Sequence, residues 1–338
     1  MDIKEHVSLK GYTTFGIDVS ATYFLEARSL DDLQQAFSQK LFGSHPHMVL
    51  GGGSNVLFTR DFVGLAILVG NKGIEVAEQT AESIVLEVQA GEEWDGLVAH
   101  CVERGWGGLE NLSGIPGRVG ASPMQNIGAY GRELKDVFHS LQAFDKQAGR
   151  LVKFGPQDCR FGYRDSYFKN EGKNRYIITS VCFRLGLENH RLCLGYGTLA
   201  SELNRLGIKN PGIRDVRQAV INIRNSKLPD PAVLGNAGSF FKNPVVSMEK
   251  FRRLQDKHPD LVAFPDPGGM KLAAGWLIEK AGLKGFRLGD AGVHERQALV
   301  LVNYGRASGK DIADLGQAVQ NAVSEKFGVE LAPEVNIY

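Results

Sequence analysis

The residues best suited to chemistry lie in a few short stretches. The longest is L-E-N-L-S-G-I-P-G-R-V-G-A-S-P-M-Q-N-I-G-A-Y-G-R, residues 109–132, with glycines at 114, 117, 120, 128 and 131. No carboxylate occurs between Glu110 and Glu133. Glycine lets a backbone turn tightly against a ligand, and a run of amides without negative charge suits phosphate oxygens. Apolar residues (Ile115, Val119, Met124, Ile127, Tyr130) are interleaved throughout, so this is a loop that packs inward rather than a surface turn. A second glycine run, G-G-G-S-N at 51–55, follows the apolar Met48–Leu50 directly. Position 56 is Val, so the third glycine of a dinucleotide fingerprint is absent, and no Gly-Lys-Ser/Thr makes it a P-loop. In C-R-F-G-Y-R-D-S-Y-F (159–168), Arg164 sits among four aromatics, where a guanidinium can grip a carboxylate or simply lie on a ring-rich surface. Ser239, in G-N-A-G-S-F-F-K-N-P (235–244), has no G-x-S-x-G frame and no His partner. It reads as a proton donor or hydrogen-bonding group, not a hydrolase nucleophile. Lys227 lies in the linker S-K-L-P-D-P, and Glu334 follows Pro333 near the end of the chain.

These groups need elements to hold them. The 338 residues suffice for two or three domains. With 43% hydrophobic and 23% charged residues the composition is that of a globular protein. The net charge of +1 leaves no field for a polyanion, which argues against nucleic acid. No apolar run has signal-peptide or membrane-spanning length. The four cysteines form no C-x-x-C pair and read as reduced structural thiols, and no metal-ligand cluster stands out. Strands are expected at 24–27, 48–50, 65–69, 84–88, 138–144, 151–154, 176–185, 192–196, 297–303 and the C-terminal 331–338. Helices are expected after Ser29, over 94–104, 198–206, 214–224, 248–257 and 272–280, and from Ser308, whose Ser-x-x-Asp spacing forms a cap. Two prolines at 229 and 231 mark a boundary.

Taken together, T-F-G-I (14–17), L-G-G-G-S-N-V-L (50–57), the 115–131 loop, F-G-Y-R-D-S (161–166), 235–244, K-L-A-A-G-W-L-I-E (271–279) and P-E-V (333–335) resemble UDP-N-acetylenolpyruvoylglucosamine reductase, also called UDP-N-acetylmuramate dehydrogenase. The likeness covers essentially the whole chain in the family's order. G-Y-G-T-L around Tyr196 is similar to the longer form, in which a tyrosine-bearing loop closes over substrate. Departures such as Asn336 and the short tail after it do not touch the catalytic set.

The resemblance implies an α+β fold: an FAD-binding fold of the vanillyl-alcohol-oxidase type, in two α+β subdomains, plus a C-terminal α+β substrate domain. The implied bounds are 1–70 for the first FAD-binding subdomain, completed by the strand 331–338, then 71–228 for the second, and 229–330 for the substrate domain. It implies noncovalent FAD, NADPH as co-substrate, and reduction of the enolpyruvyl ether of UDP-N-acetylglucosamine-enolpyruvate to UDP-N-acetylmuramate in bacterial peptidoglycan precursor synthesis. Arg164, Ser239 and Glu334 fall on the catalytic positions. Gly51, Gly52, Gly53, Ser54 and Asn55 fall on one flavin-binding loop. Ile115, Pro116, Gly117, Val119, Gly120 and Ala121, continuing through Ser122, Gln125, Asn126, Gly128, Ala129 and Tyr130, fall on the other. Tyr196, Arg224, Lys227 and Asn243 fall on substrate-binding positions.

Hydride from flavin N5 would go to the β-carbon and a proton from Ser239 to the α-carbon, while donors such as Arg164 and Glu334 meet the charge on the carboxylate. The protein is expected to be a cytoplasmic monomer with a small-molecule substrate, no nucleic-acid partner, no membrane insertion and no metal. The alternative is a flavin oxidase of the same fold, and a further one a non-enzymatic flavin-binding module. Covalent oxidases use His or Cys, which neither glycine loop contains.

Overall fold

Apolar alternation and capped helical stripes give an α+β chain, seen in a computed structural model that describes residues 2–38 and 45–338. It divides into two compact units: Met1–Val7, Ala21–Gly52 and Val63–Ser226 in one, and Ser8–Ser20, Gly53–Phe62 and Lys227–Tyr338 in the other.

The first unit holds two larger sheets, beside the short pair Gly128–Ala129 and Arg132–Glu133. One runs in the order Ile3–Ser8, Ser20–Ala27, Phe62–Val69, His47–Leu50. Its last two strands are parallel, with Met48 opposite Ala66. The helix Leu30–Ser38 buries Leu33 and Ala36 in the same cluster as Leu25, Leu65 and Ile67. Ser29 and Asp32 cap this helix reciprocally, Asp32 accepting from Ser29 N–H at 3.1 Å and donating its own N–H to Ser29 Oγ at 3.2 Å. The other sheet is antiparallel, in the order Arg150–Phe154, Phe138–Asp145, Tyr176–Gly186, Ser83–Gln89, Ile74–Gln79. Tyr176–Gly186 is central, as its apolar run suggested, and the helix Trp94–Glu103 packs Trp94, Leu97, Val98 and Cys101 into the adjoining core. Burial pushes the Cys101 and Cys159 thiols up to about 12, in keeping with structural, unreactive cysteines.

One expectation fails here, and one strand was not expected. No strand forms over 192–196. The buried Asn111 side chain donates to the Cys193 carbonyl at 2.8 Å, so this backbone is tied to the glycine loop instead of to a ladder. Conversely, Ile74–Gln79 is a strand the sequence hid, because as an edge strand it buries almost nothing. The helices Gly197–Arg205 and Ile213–Lys227 pack through Leu199, Leu203, Val216, Ala219, Val220 and Ile223. The second of them runs past Arg224 to Lys227 before Pro229 stops it.

The second unit is built on a four-stranded antiparallel sheet ordered Gly235–Ser239, Val300–Asn303, Ala291–Val293, Arg287–Leu288. A three-stranded sheet adds Val245–Val246, Gly269–Leu272 and Ala263–Asp266. The helix Gly309–Phe327 buries Ile312, Leu315, Val319, Val323 and Phe327, with the expected Ser308–Asp311 capping box. Its first residue must be glycine, since a Cβ would lie 1.6 Å from the Phe58 carbonyl oxygen. The helix expected over 272–280 starts at Ala274, because Leu272 belongs to a strand. The strand expected from 297 begins at Val300. The expected C-terminal strand is short: Asn336–Ile337, parallel to Val56–Leu57.

Candidate active site

In the first unit the parallel strand His47–Leu50 delivers the chain into Gly51 and Gly52 at its carboxyl end, where open parallel sheets bind ligands. The second glycine loop is pressed against this turn. A Cβ on Gly51 would lie 3.1 Å from the Ala121 Cβ, and one on Gly52 only 2.7 Å from the Gly117 Cα. Gly117 itself has φ +121°.

The sequence suggested that successive amides of this second loop face an anion. Four of them are already committed: Val119 N–H to Glu92 O, Gly120 to Ala90 O, Ala121 to Arg118 O and Ser122 to Val119 O. Ser122 Oγ also donates to Val119 O, at 2.7 Å. Asn126, fully buried at φ +43°, donates to Glu133 Oε2 and Gly162 O and accepts from Lys135 N–H, all at 3.0 Å. These residues shape the loop, and what the loop offers a ligand is close backbone approach more than a row of donors.

Arg164 is held against the same loop. Its Nη2 donates to Gly128 O at 2.8 Å, and the guanidinium lies 5.8 Å from the centre of the Tyr163 ring. Its backbone is left-handed, at φ +53°, a conformation that a bulky residue keeps only where its surroundings impose it. The neighbours that impose it were not legible in the sequence. Asn126 grips Gly162 O at 3.0 Å, and Ser166 Oγ grips Met124 O at 2.7 Å. The motif is thus stapled to the glycine loop at both ends. Tyr130, at φ +48°, stacks edge-on with the exposed Tyr196, ring centres 5.5 Å apart. Arg224 Nε donates to Gly114 O at 3.0 Å.

In the second unit the end of Gly235–Ser239 pairs with Val300, after an irregularity in register and a left-handed Gly238 at φ +68°. The chain then pairs with the C-terminal segment: Glu334 N–H donates to Phe240 O at 2.8 Å and Lys242 N–H to Ala332 O at 2.9 Å. This brings half-buried Ser239 and half-buried Glu334 to neighbouring backbone positions, next to the buried Phe240 and Phe241. A glutamate four residues from the terminus is thereby not a loose surface group. The first glycine run ends in this unit too. A Cβ on Gly53 would lie 1.9 Å from Tyr12 O, Thr14 N–H donates to Gly53 O at 3.2 Å, and Asn55 Nδ2 donates to Glu334 O at 3.4 Å. The T-F-G-I motif finds its role here, with Asn236 N–H on Thr14 O at 3.0 Å. Lys227 is exposed at the end of its helix. Asn243 Oδ1 accepts the Ala274 N–H at 2.9 Å, starting a helix, and its side-chain NH2 group is left to serve a ligand. Ser54, Ile115, Pro116, Gln125 and Ala129 lie in the same two loops. Among the described residues no carboxylate, His or Cys group could hold a metal ion, and no helix is long and apolar enough to cross a membrane.

Comparison with known proteins decides the family. Residues 21–155 match the FAD binding domain, and 230–338 match the C-terminal domain of UDP-N-acetylenolpyruvoylglucosamine reductase. The reductases of Pseudomonas aeruginosa and Pseudomonas syringae are 52% and 50% identical, over 100% of this chain and 99% of theirs. The chain belongs to the UDP-N-acetylenolpyruvoylglucosamine reductase family. The crystal structure of the Thermus caldophilus reductase superimposes with a TM-score of 0.71 at 26% identity, covering 100% of this chain and 99% of that one. The expected fold, an FAD-binding domain followed by the reductase's C-terminal domain, is therefore the one present, and the protein is an FAD-dependent oxidoreductase.

The residues present fit that cofactor: two glycine turns in contact where side chains would collide, with no carboxylate between Glu110 and Glu133. A methyl group on Gly52 would force the Gly117 backbone away. Gly52→Ala should weaken FAD retention in this reductase at least about tenfold, a value typical of overpacking. The measurement is flavin absorbance per folded chain after gel filtration, and full retention would show that the contact does not shape the cofactor site.

Proposed function

We propose that this reductase converts UDP-N-acetylglucosamine-enolpyruvate to UDP-N-acetylmuramate with NADPH as reductant, in the bacterial cytoplasm, as a monomer. The observation that carries the reading is the full-length likeness at 50–52% identity to reductases of that name. The proposed division of labour is 1–70 with the C-terminal strand, and 71–228, for the cofactor, and 229–330 for the nucleotide sugar. Noncovalent FAD, when bound, supplies hydride chemistry toward the β-carbon of the enolpyruvyl group.

The protein's own groups do the rest. As negative charge moves onto the substrate carboxylate, fixed donors stabilise it more than they stabilise the ground state. Arg164 is suited to this: its guanidinium is anchored through Nη2 to Gly128 O, so little reorganisation is needed. Ser239 delivers a proton to the α-carbon. Glu334, fixed through its backbone to Phe240, supports the charge from the neighbouring position. Tyr196, Arg224, Lys227 and the side-chain amide of Asn243 hold the nucleotide sugar.

The test is spectroscopic. NADPH should bleach the yellow protein, and the enolpyruvyl substrate should restore its colour without oxygen, yielding UDP-N-acetylmuramate. Acid precipitation should release all the colour into the supernatant. Rapid recovery in air with no use of the substrate would instead favour a flavin oxidase.

A further inference from the structure

One part-buried ion pair in the first unit is absorbed neither by the cofactor loops nor by the proposed catalytic set. Asp95, in the helix Trp94–Glu103, meets Arg217, in the helix Ile213–Lys227, through both oxygens, at 2.6 and 3.0 Å. The same carboxylate accepts the Gly114 N–H at 2.6 Å. The Gly114 carbonyl, on the other side of that residue, accepts from Arg224 Nε at 3.0 Å. Gly114 is therefore a two-ended spacer between an anion and a cation. It is left-handed at φ +69°, and a Cβ on it would come within 3.0 Å of Ile221 and 3.1 Å of Arg224.

We infer that Asp95 and Arg217 are positioning residues: the carboxylate fixes Gly114, and Arg217 neutralises that carboxylate so that the charge of Arg224 stays available to an anionic group of the nucleotide-sugar substrate. This rests on the substrate role proposed for Arg224. The partition of charge follows from the contacts. Arg217 and the Gly114 amide hold the Asp95 carboxyl below its ordinary range against its burial. Among the described residues Arg224 makes no ion pair at contact distance. It bonds to the Gly114 carbonyl and to Tyr130, while Asp95 acts on it only through space. Tyr130 in turn stacks on Tyr196, so Arg224 faces the tyrosine pair. Removing one member of a part-buried pair leaves a poorly compensated charge that seeks another partner. Without Arg217, the cation acting on Asp95 would be Arg224, which holds the other side of Gly114.

The experiment is calorimetric titration of the oxidised holoenzyme with UDP-N-acetylglucosamine-enolpyruvate. Arg217→Gln should raise the dissociation constant at least about tenfold, as for other charge pairs broken on one side. The double variant Asp95→Asn with Arg217→Gln should recover to within about threefold of wild type, because the amide still accepts from Gly114 and the stray charge is gone. Arg217→Lys, which keeps the charge and loses the fork, should also stay within about threefold, and it carries the test if Arg217→Gln melts early or loses FAD. A double variant as weak as Arg217→Gln, or a lysine variant that loses tenfold, would overturn the inference, since a purely structural pair gains nothing from losing its second member. Arg224→Gln separates the two levels. If it leaves affinity unchanged, the substrate role of Arg224 fails; if it weakens binding and Arg217→Gln does not, only the positioning role fails.

Discussion

Ser239→Ala should leave this reductase folded, yellow and bleached by NADPH at close to the normal rate, yet slow its reoxidation by the enolpyruvyl substrate by at least about 10²–10⁴-fold. That range is the usual worth of a positioned acid. Bleaching requires no proton from a serine; completing the substrate's new C–H bond at the α-carbon does. The structure makes unfolding a poor explanation for any loss. Ser239 ends its strand after the left-handed Gly238, and the rings that hold this turn, Phe240 and Phe241, are each 1% exposed and untouched by the change. Stopped-flow absorbance separates the two half-reactions. In deuterated buffer the wild type should place solvent deuterium on the α-carbon and unlabelled hydride on the β-carbon. A variant that reduces substrate normally, or whose bleaching falls just as far, would remove Ser239 from the proton step.

Lys227→Ala should raise the dissociation constant for the nucleotide sugar by about ten- to hundredfold and leave FAD affinity nearly unchanged, the range for a charge-assisted contact desolvated on binding. The sequence placed this lysine on a proline-braced linker. In the structure it is the last residue of the helix Ile213–Lys227, exposed, with Pro229 two residues beyond. Its backbone is thus braced by a helix of which Val216, Ala219, Val220 and Ile223 are buried, and its ammonium is free of any ion pair among the described residues. Calorimetry with substrate, beside flavin retention on gel filtration, reads both quantities. Equal affinity for substrate in variant and wild type would remove Lys227 from the binding set.

Periodicity and capping made the regular elements legible. The Ser308-capped helix appears with its buried stripe where the sequence put it, and the strands expected at 138–144 and 151–154 form and pair as a hairpin between Asp145 and Arg150. Such signals are local: a stripe or a cap needs only neighbours within a few residues. The motif set also identified the family and the cofactor, because glycine runs and their flanks record backbone constraints directly.

What the sequence alone could not determine are contacts between residues far apart in it. The strand expected at 192–196 is absent because a side chain 82 positions earlier takes the Cys193 carbonyl. The amides of Val119 to Ser122, readable as phosphate donors, turn out to be spent on residues 90, 92, 118 and 119. Arg164 owes its left-handed backbone and its anchor to a loop 36 residues away, and Asp95 meets Arg217 across 122. Glu334 is placed by pairing with Phe240, which gives no periodic signal. Residue type states what a group can do, and the acceptor it finds is set by which distant backbone the folding of its own unit brings within hydrogen-bond reach.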